Sequence, residues 1–507
     1  MIGLEGGPQR SILGPMIRSC VRAALGAVLV STLIASSVLA QEPGALPPDA
    51  SAKRTAATPD DTLAYTVAVE PVPLSDPEGK KLAEIVVTSY TLDRTKPALR
   101  PITYVFNGGP GAASAFLNFG GIGPRRLAFG NEGDTPSDPP AMVDNAESWL
   151  AFTDLVFVDP VGTGYSRSVG GGDAERNFWS VQGDAESLSR IVGKHLASKN
   201  RLMSPVFLAG ESYGGFRIPL IAKTLQSRDG VGVRGLVAIS PVLDFSIRQG
   251  ADSSPLTWVN GLPSLAATMR ETKGPVTRAD LADVEAYATG PFLADLLKGP
   301  RDAAAVERIS AKVAELTGLD PAFVRRLGGR VDVRSFVREF RRGQGKVGSA
   351  YDANVTAFDP EPTAGRSNFD DPVLDGALAP LTRAAVDFYA RDLGYRVDRR
   401  YELINGEVNR KWRWGDGQEP AESASELREV LALDPKIRVL VGHGATDLVT
   451  PYMESKMVLD QLPAFGDPER VALKVYPGGH MFYTRDASRA AFTRDVKALY
   501  DTAAPAE

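Results

Sequence analysis

The sequence contains very little cysteine and histidine. Its single cysteine, Cys20, lies in the N-terminal region, so the rest of the 507-residue chain cannot form a disulfide within itself. Catalysis by a cysteine nucleophile is therefore excluded beyond that region. With one cysteine and three histidines, the chain offers no ligand set for a structural zinc site, and we expect neither a metal nor another cofactor. A chain of this length can bury its core without disulfides.

The chain also lacks a strong excess of charge of either sign. Its formal net charge is −5, and 43% of its residues are hydrophobic and 23% charged, which is ordinary for a globular protein. Nothing in this balance predicts binding to nucleic acid or to an anionic membrane. A basic run at 325–342 is interpreted as a solvated helix face, with a binding role as the alternative. Peptides or small acyl compounds are the expected substrates.

Long apolar runs are scarce, and the one at 23–39 is typical of an export signal. Arg18 and Arg22 precede it, and Val-Leu-Ala at 38–40 offers a small-residue cleavage site. We predict a signal peptide at 1–40, with Met16 as an alternative start. An uncleaved membrane anchor is the alternative, although the run is short for a membrane span. Export without disulfides favours a bacterial periplasm or the cell exterior, with no membrane attachment after cleavage.

The hydrophobic pattern predicts an α/β fold with a mostly parallel central sheet flanked by helices. A Pro- and Ala-rich stretch at 41–61 is predicted to be a flexible leader. Two β-rich runs then predict an antiparallel hairpin, and short continuous apolar runs predict strands buried on both faces. The predicted strands are Leu63–Glu70, Leu82–Leu92, Ile102–Phe106, Leu155–Val158, Val206–Ala209, Leu236–Ile239, Val439–Val441 and Leu473–Tyr476.

Helical patterns, such as those at 181–196 and 216–225, separate several of these strands, as expected for a parallel sheet. The stretch 246–427 breaks the alternation of strands and helices. We interpret it as a largely helical cap inserted between two parts of one core, 62–245 and 428–507. Ligands of such sheets bind at the carboxyl ends of the strands, so the turns there are where chemistry is expected.

One of these turns carries a candidate nucleophile, Ser212. It lies in Gly-Glu-Ser-Tyr-Gly at 210–214, directly after a predicted strand and before a helical pattern. This context is the one that the nucleophile elbow of α/β-hydrolases requires. The two glycines let strand and helix approach closely, and the helix N-terminus favours negative charge near the reacting oxygen.

A serine hydroxyl needs a base, and only three histidines are available. His195 is interpreted as a surface residue of a helix. His480 follows the last predicted strand through a Pro-Gly-Gly loop, which leaves room for an acid between nucleophile and base, in the order Ser, Asp, His. His443 is the alternative base. Asp447, after the preceding strand, is the candidate acid, and capping of the helix near Pro451 is the alternative role.

An oxyanion hole needs two backbone N–H groups. One is expected from Tyr213, the residue after the nucleophile. The other is expected from Gly109 in Asn-Gly-Gly-Pro-Gly at 107–111, after the strand at 102–106. A phosphate-binding loop is the alternative, but no Gly-Lys-Ser/Thr follows.

Four segments together resemble the serine carboxypeptidase family. They are Asn-Gly-Gly-Pro-Gly at 107–111, Asp-Pro-Val-Gly-Thr-Gly-Tyr-Ser at 159–166, Gly-Glu-Ser-Tyr-Gly-Gly at 210–215 and Gly-His-Met at 479–481. The resemblance implies release of C-terminal residues through an acyl-enzyme, with a triad of Ser212, Asp447 and His480 and with Gly109 and Tyr213 as oxyanion donors. It also implies that Asn107 and Glu211 hold the terminal carboxylate of the substrate. A Glu in that role must carry or share a proton, which favours an acidic working pH.

The chain departs from the family pattern at Gly121, where the resemblance implies a second carboxyl group that would share a proton with Glu211. Two arginines, Arg125 and Arg126, follow shortly after. We hypothesise that one of them binds the substrate carboxylate instead, with a surface position for both as the alternative. The missing acid also keeps an esterase or an acyltransferase open as the alternative function, because the triad sets acyl transfer but not its donor or acceptor.

Overall fold

The computed structural model describes residues 45–93, 96–129, 139–170, 172–248, 254–365, 368–415, 417 and 419–503. The predicted signal peptide at 1–40 and the first residues of the predicted leader lie outside them. No helix in these ranges combines the length and the apolar character that crossing a membrane requires.

Ten strands of the described chain form one central sheet. Its order is β1-β2-β3-β7-β4-β9-β10-β13-β14, with the short β8 paired to β3. The strands are β1 Ala50–Ala57, β2 Thr62–Ser75, β3 Lys81–Leu92, β4 Ile102–Phe106, β5 Arg125–Leu127, β6 Met142–Asp144, β7 Asp154–Val158, β8 Arg167–Ser168, β9 Val206–Glu211, β10 Val233–Ile239, β11 Lys346–Gly348, β12 Thr356–Phe358, β13 Arg438–Gly444 and β14 Val471–Tyr476. The pairs β5–β6 and β11–β12 form two small separate sheets.

All eight predicted strands exist, and the predicted hairpin of β2 and β3 is antiparallel. From β7 to β14 the neighbouring strands of the central sheet run parallel. The prediction of a flexible leader at 41–61 is wrong for Ala50–Ala57, which pairs antiparallel with β2 along its whole length. That strand is polar and mostly exposed, so its hydrogen bonds to β2 hold it in place and no apolar pattern announces it.

The described chain contains fifteen α-helices, some of which cover the two faces of the sheet while others pack in a separate apolar cluster. They are α1 Ala115–Leu117, α2 Gly172–Phe178, α3 Val181–Ser198, α4 Tyr213–Thr224, α5 Leu256–Glu271, α6 Ala282–Tyr287, α7 Leu293–Lys298, α8 Ala303–Thr317, α9 Pro321–Arg326, α10 Val333–Glu339, α11 Leu374–Asp387, α12 Gly406–Lys411, α13 Ala424–Leu433, α14 Tyr452–Asp460 and α15 Asp486–Ala503.

Strand β4 contacts apolar clusters on both faces of the sheet, which explains its continuous apolar sequence. Tyr104 and Phe106 belong to the apolar cluster that includes α3, α4 and α13, whereas Val105 belongs to the opposite cluster, with α11 and α15. All five side chains of the strand are buried. Burial on both faces removes the alternation of polar and apolar residues that a half-exposed strand would show.

Residues 246–420, in the chain between β10 and β13, form the insertion, which contains α5 to α12 and the small sheet β11–β12. Its two ends are hydrogen-bonded to each other: Phe245 N–H donates to Ala421 O at 3.0 Å, and Ser423 N–H donates to Leu243 O at 2.8 Å. We call residues 243–245 and 421–423 the neck. The predicted boundary at 427 falls inside α13, which packs on α4 as part of the core.

Candidate active site

Ser212 lies at a sharp turn between β9 and α4. Its φ of 58° and ψ of −121° are rare for a residue with a side chain. The turn is held by close backbone packing, since a Cβ on Gly214 would overlap the carbonyl of Phe106. Ser212 N–H donates to Ile239 O of the neighbouring strand β10 at 2.8 Å. The strand, turn and helix that the sequence predicts around Ser212 are therefore present.

Asp447 and His480 are in direct contact at the same edge of the sheet. Asp447 follows β13, His480 follows β14, and both are buried. His480 Nδ1 lies 2.8 Å from Asp447 Oδ2, and the hydroxyl of Thr450 donates to that same oxygen at 2.6 Å. Asp447 Oδ1 accepts from the backbone N–H groups of Val449 and Thr450, both at 2.8 Å. One carboxylate oxygen of Asp447 thus orients the imidazole of His480, while the other stabilises the turn that follows Asp447.

Helix α14 has Pro451 at its N-cap position, and no side chain caps it. The backbone bonds of Asp447 close the turn before this helix, so they differ from the helix cap considered as the alternative role.

Charge and burial have opposite effects on the pKa values of Asp447 and His480. Burial would lower the pKa of His480, but the charge and hydrogen bond of Asp447 outweigh it and hold the pKa above 6.5. Burial would raise the pKa of Asp447, but the charge and hydrogen bond of His480 hold it below 3.8. The arrangement therefore stabilises an imidazolium, the state that a general base reaches after taking a proton.

The other two histidines are also buried, and each lies beside a different hydroxyl group. His443 Nε2 lies 2.8 Å from Ser455 Oγ, and burial lowers its pKa to about 4. The prediction that His195 is a surface residue is wrong: it is 3% exposed, and its Nδ1 lies 2.9 Å from the hydroxyl of Tyr104. The neighbouring Lys194 and Lys199 suggested an exposed position, but the His195 side chain lies on the face of α3 that packs on the sheet.

The loop at 107–111 lies directly against the turn of Ser212. A Cβ on Gly108 would be 2.6 Å from both Glu211 O and Tyr213 N. Gly109 has a φ of 101°, which favours glycine. The two backbone segments that carry the candidate oxyanion donors, Gly109 and Tyr213, are therefore adjacent.

Glu211, the residue before the candidate nucleophile, is a buried carboxyl group with a donor on each oxygen. Asn107 Nδ2 donates to Oε2, and the hydroxyl of Tyr483 donates to Oε1 at 2.7 Å. Burial raises the pKa of Glu211 to about 7, although the charge of His480 and the two hydrogen bonds act in the opposite direction. The group is thus protonated over the acidic range, as binding of another carboxylate requires.

The two arginines after Gly121 have other partners. Arg125 donates to Met142 O at 3.2 Å, and Arg126 donates to Asp486 Oδ1 at 3.1 Å. Neither is brought to Glu211, so the hypothesis that one of them binds the substrate carboxylate is not supported. The ring of Tyr483 lies there instead: a Cβ on Gly121 would be 2.5 Å from its Cδ2.

The insertion also contributes residues that the sequence did not reveal. Asp352 Oδ2 accepts from the guanidinium of Arg485 at 2.6 Å and from the N–H of Gly479 at 3.1 Å. Glu271 of α5 also pairs with Arg485, at 3.0 Å. The backbone N–H of His480 donates to a carbonyl of the insertion, that of Tyr351. The loop that carries the candidate base is therefore held from the insertion.

No motif surrounds Glu271 or Asp352, so nothing in their local sequence signals a role. Tyr483 offered a weak signal, since it is three residues from His480, but its partner Glu211 is 272 positions away.

Comparison with known proteins identifies a stretch that contains several of the segments described above. The sequence profile described as "Serine carboxypeptidase" matches residues 89–247, which include the loop at 107–111 and the turn of Ser212. This match assigns residues 89–247 to the serine carboxypeptidase family. The resemblance predicted from the sequence is thereby confirmed.

Two curated relatives match stretches of similar length. A pheromone-processing carboxypeptidase of Yarrowia lipolytica is 34% identical over 142 residues, which are 27% of this chain and 21% of the relative. Serine carboxypeptidase-like 36 of Arabidopsis thaliana is 28% identical over 172 residues, which are 31% of this chain and 32% of the relative. The chain thus spans between a fifth and a third of the length of these relatives.

The fold extends the similarity beyond the matched stretch. The crystal structure of a prohormone-processing carboxypeptidase from Saccharomyces cerevisiae has a TM-score of 0.54 to this chain at 14% identity. The similarity covers 86% of this chain and 92% of that one. The predicted α/β-hydrolase fold, with its mostly parallel sheet flanked by helices, is confirmed.

Proposed function

We propose that this chain is a serine carboxypeptidase that removes C-terminal residues from peptides through an acyl-enzyme. The observation that carries the proposal is the juxtaposition at Glu211 and Ser212. A buried carboxyl group that is protonated below about pH 7 directly precedes the candidate nucleophile, and an Asp447–His480 pair lies at the same sheet edge. A group for recognising a carboxylate and a group for acyl transfer are therefore one residue apart.

In the proposed mechanism, Ser212 Oγ attacks the carbonyl carbon of the last peptide bond and His480 Nε2 takes its proton. Asp447 stabilises the imidazolium, and the N–H groups of Gly109 and Tyr213 receive the oxyanion. The intermediate collapses as His480 gives the proton to the leaving amine, and the C-terminal amino acid departs. Water then attacks the acyl-enzyme ester, loses a proton to His480, and releases the shortened peptide as the proton returns to Ser212.

Asn107 and Glu211 are the proposed site for the terminal carboxylate. The amide of Asn107 already donates to Glu211, and a protonated Glu211 has an O–H to donate to the substrate. A neutral acid accommodates a second carboxylate without like-charge repulsion, whereas an ionised one repels it. Selectivity for a free C-terminus therefore depends on the protonation of one residue.

An esterase or an acyltransferase is the second proposed function. The observation in its favour is Gly121, which leaves Glu211 without the second acid that the family resemblance implies. The same triad would serve either reaction, because it acts on the acyl group and not on the C-terminus.

Three substrates separate these functions: an N-blocked dipeptide with a free carboxylate, the same dipeptide as an amide, and a simple ester. A carboxypeptidase releases the C-terminal amino acid from the first with a kcat/KM at least tenfold above that for the amide. Equal rates on both dipeptides, or hydrolysis of the ester alone, would favour the second function. Ser212→Ala abolishes all activity, whereas Ser310→Ala, which alters a buried serine of α8, preserves it.

A serine-directed phosphonylating reagent tests the nucleophile independently. The wild-type protein should bind one equivalent, and Ser212→Ala none. A wild-type protein that resists the reagent and hydrolyses none of the three substrates would be a non-catalytic member of the fold.

The proposed place of action is outside the cytoplasm, in the periplasm or the exterior. The basis is the predicted signal peptide at 1–40. N-terminal sequencing of the protein recovered from each cell fraction tests it. A mature N-terminus near Gln41 in the exported fraction is expected, and an intact N-terminus in the cytoplasm would contradict it.

A further inference from the structure

The ring of Tyr483 fills the space beside Gly121. A Cβ on that glycine would be 2.5 Å from Cδ2 and 3.0 Å from Cγ of the ring. Asn145 fixes the backbone there, because its amide donates to the carbonyls of Gly121 and Gly123, both at 2.8 Å. A side chain at position 121 and the tyrosine ring therefore exclude each other.

Tyr483 is also fixed from its own side. It is fully buried in the short helix Phe482–Thr484, which follows the loop of His480. Arg489 donates to its backbone carbonyl at 3.2 Å. The phenol has therefore little freedom to leave the Glu211 oxygen that it contacts at 2.7 Å.

The groups that face Glu211 come from four parts of the chain. Tyr483 and His480 follow β14, Asp447 follows β13, Asn107 follows β4, and Tyr351 belongs to the insertion. Among these, only the side chains of Tyr483 and Asn107 are hydrogen-bonded to the carboxyl oxygens. No second carboxyl group among the described residues contacts Glu211 to share its proton.

As a hydrogen-bond partner of Glu211, the phenol of Tyr483 differs from a second carboxyl group. Burial and the nearby Glu211 raise the pKa of Tyr483 well above 10, so the phenol stays neutral over the pH range in which Glu211 titrates. It can donate to the ionised form of Glu211 or accept from the protonated form. Tyr483 can therefore stay hydrogen-bonded to Glu211 in both protonation states, without a second carboxyl group that shares the proton.

Resting on the proposed function, we propose that Tyr483 is a positioning residue for carboxylate recognition, which holds Glu211 in place of a second acid. Through this contact, Glu211 alone presents the proton to the substrate's terminal carboxylate. Tyr483 thereby affects the binding of free C-termini and leaves the acyl-transfer chemistry to the triad.

Tyr483→Phe tests this role, because it keeps the ring beside Gly121 and removes only the hydroxyl. KM for the free-acid dipeptide should rise about tenfold at pH 6, the size of one lost hydrogen bond to a carboxyl group. The kcat, and the kinetics on the amide and the ester, should stay within twofold. KM for the free acid should rise at alkaline pH, where Glu211 loses its proton. Since the phenol's hydrogen bond lowers the pKa of Glu211, the loss of that bond should move this rise to higher pH.

Tyr389→Phe is the matched control, because it removes another buried phenol, bonded to Thr88 at 2.9 Å, and should leave KM and its pH profile unchanged. The inference is refuted if Tyr483→Phe leaves KM and the alkaline limb unaltered, or if it weakens all three substrates equally. A wild-type enzyme that shows no preference for the free acid refutes the proposed function itself, whatever the variant does. The two failures are thus distinguishable.

Discussion

If Glu211 binds the terminal carboxylate as proposed, its protonation predicts how recognition of a free C-terminus depends on pH. With a pKa of about 7, half of the enzyme carries the proton near neutrality, and only about 1% carries it at pH 9. KM for a free-acid dipeptide should therefore rise tenfold per pH unit above about pH 7, or about a hundredfold at pH 9. KM for the amidated dipeptide should stay flat over the same range.

Glu211→Gln removes the titrating group and keeps its shape. An amide has an N–H to donate at every pH, so the profile of KM for the free acid should become flat and cross that of the wild type above neutrality. Both proteins should retain a fall in kcat at low pH, where His480 is protonated and cannot act as a base. Steady-state kinetics from pH 5 to 9.5 on both dipeptides measure this. Parallel profiles for variant and wild type would refute the role of Glu211.

Stability offers a second readout of the same group that does not depend on activity. The pKa of Glu211 is about 7 in the folded protein, against 4.5 for an unperturbed glutamate side chain, so folding favours the protonated form. Its stabilising contribution is full below pH 4.5 and is lost as the pH rises to about 7, which costs about 3 kcal/mol. Urea unfolding should show a smaller decline over this range in Glu211→Gln than in the wild type. An equal decline would mean that Glu211 is not protonated in the folded state.

Three further predictions concern residues that hold the candidate active site in place. Asp447→Asn should lower kcat about 10⁴-fold, because the imidazole loses its orienting carboxylate, with little change in the melting temperature. Asp352→Ala should reduce the free energy of unfolding in urea by about 1–3 kcal/mol, because Gly479 N–H loses its acceptor and Arg485 keeps only Glu271 as a buried carboxylate partner; an unchanged free energy would contradict the role of Asp352 in holding the histidine loop. Gly108→Ala places a methyl group 2.6 Å from backbone atoms of the Ser212 turn and should lower kcat/KM by at least a hundredfold. Gly261→Ala, which meets nothing within 4 Å, is its control and should match the wild type.

The sequence predicts those parts of the fold that depend on local pattern. Continuous apolar runs located the strands of the central sheet, and Ile102–Phe106 has the predicted ends. Strands such as Arg438–Gly444 extend beyond the predicted run because their terminal residues are polar or glycine and join the sheet through the backbone. The strand Ala50–Ala57 was missed for the same reason, since pairing with β2 stabilises it without an apolar face.

The same distinction between local pattern and tertiary packing applies to the candidate site. Ser212, Asp447 and His480 lie in turns whose order along the chain carries information, and the structure brings Asp447 and His480 together. The contact of Tyr483 with Glu211 depends on how two loops pack, and no spacing along the chain encodes it. His195 was misplaced because two nearby lysines suggested solvent, while the packing of α3 buries the imidazole.

The hydrogen-bonded neck at 243–245 and 421–423 has a consequence for how this fold can diversify. Because the two ends of the insertion already bond to each other, its interior can lengthen, shorten or be exchanged for another helical segment without pulling β10 and β13 apart. Such a graft would keep the turn of Ser212 but would lose the residues at 351–352 that hold the histidine loop. An exchanged insertion therefore holds that loop only if it brings its own acceptors for the backbone N–H groups there, which restricts the insertions that are compatible with this core.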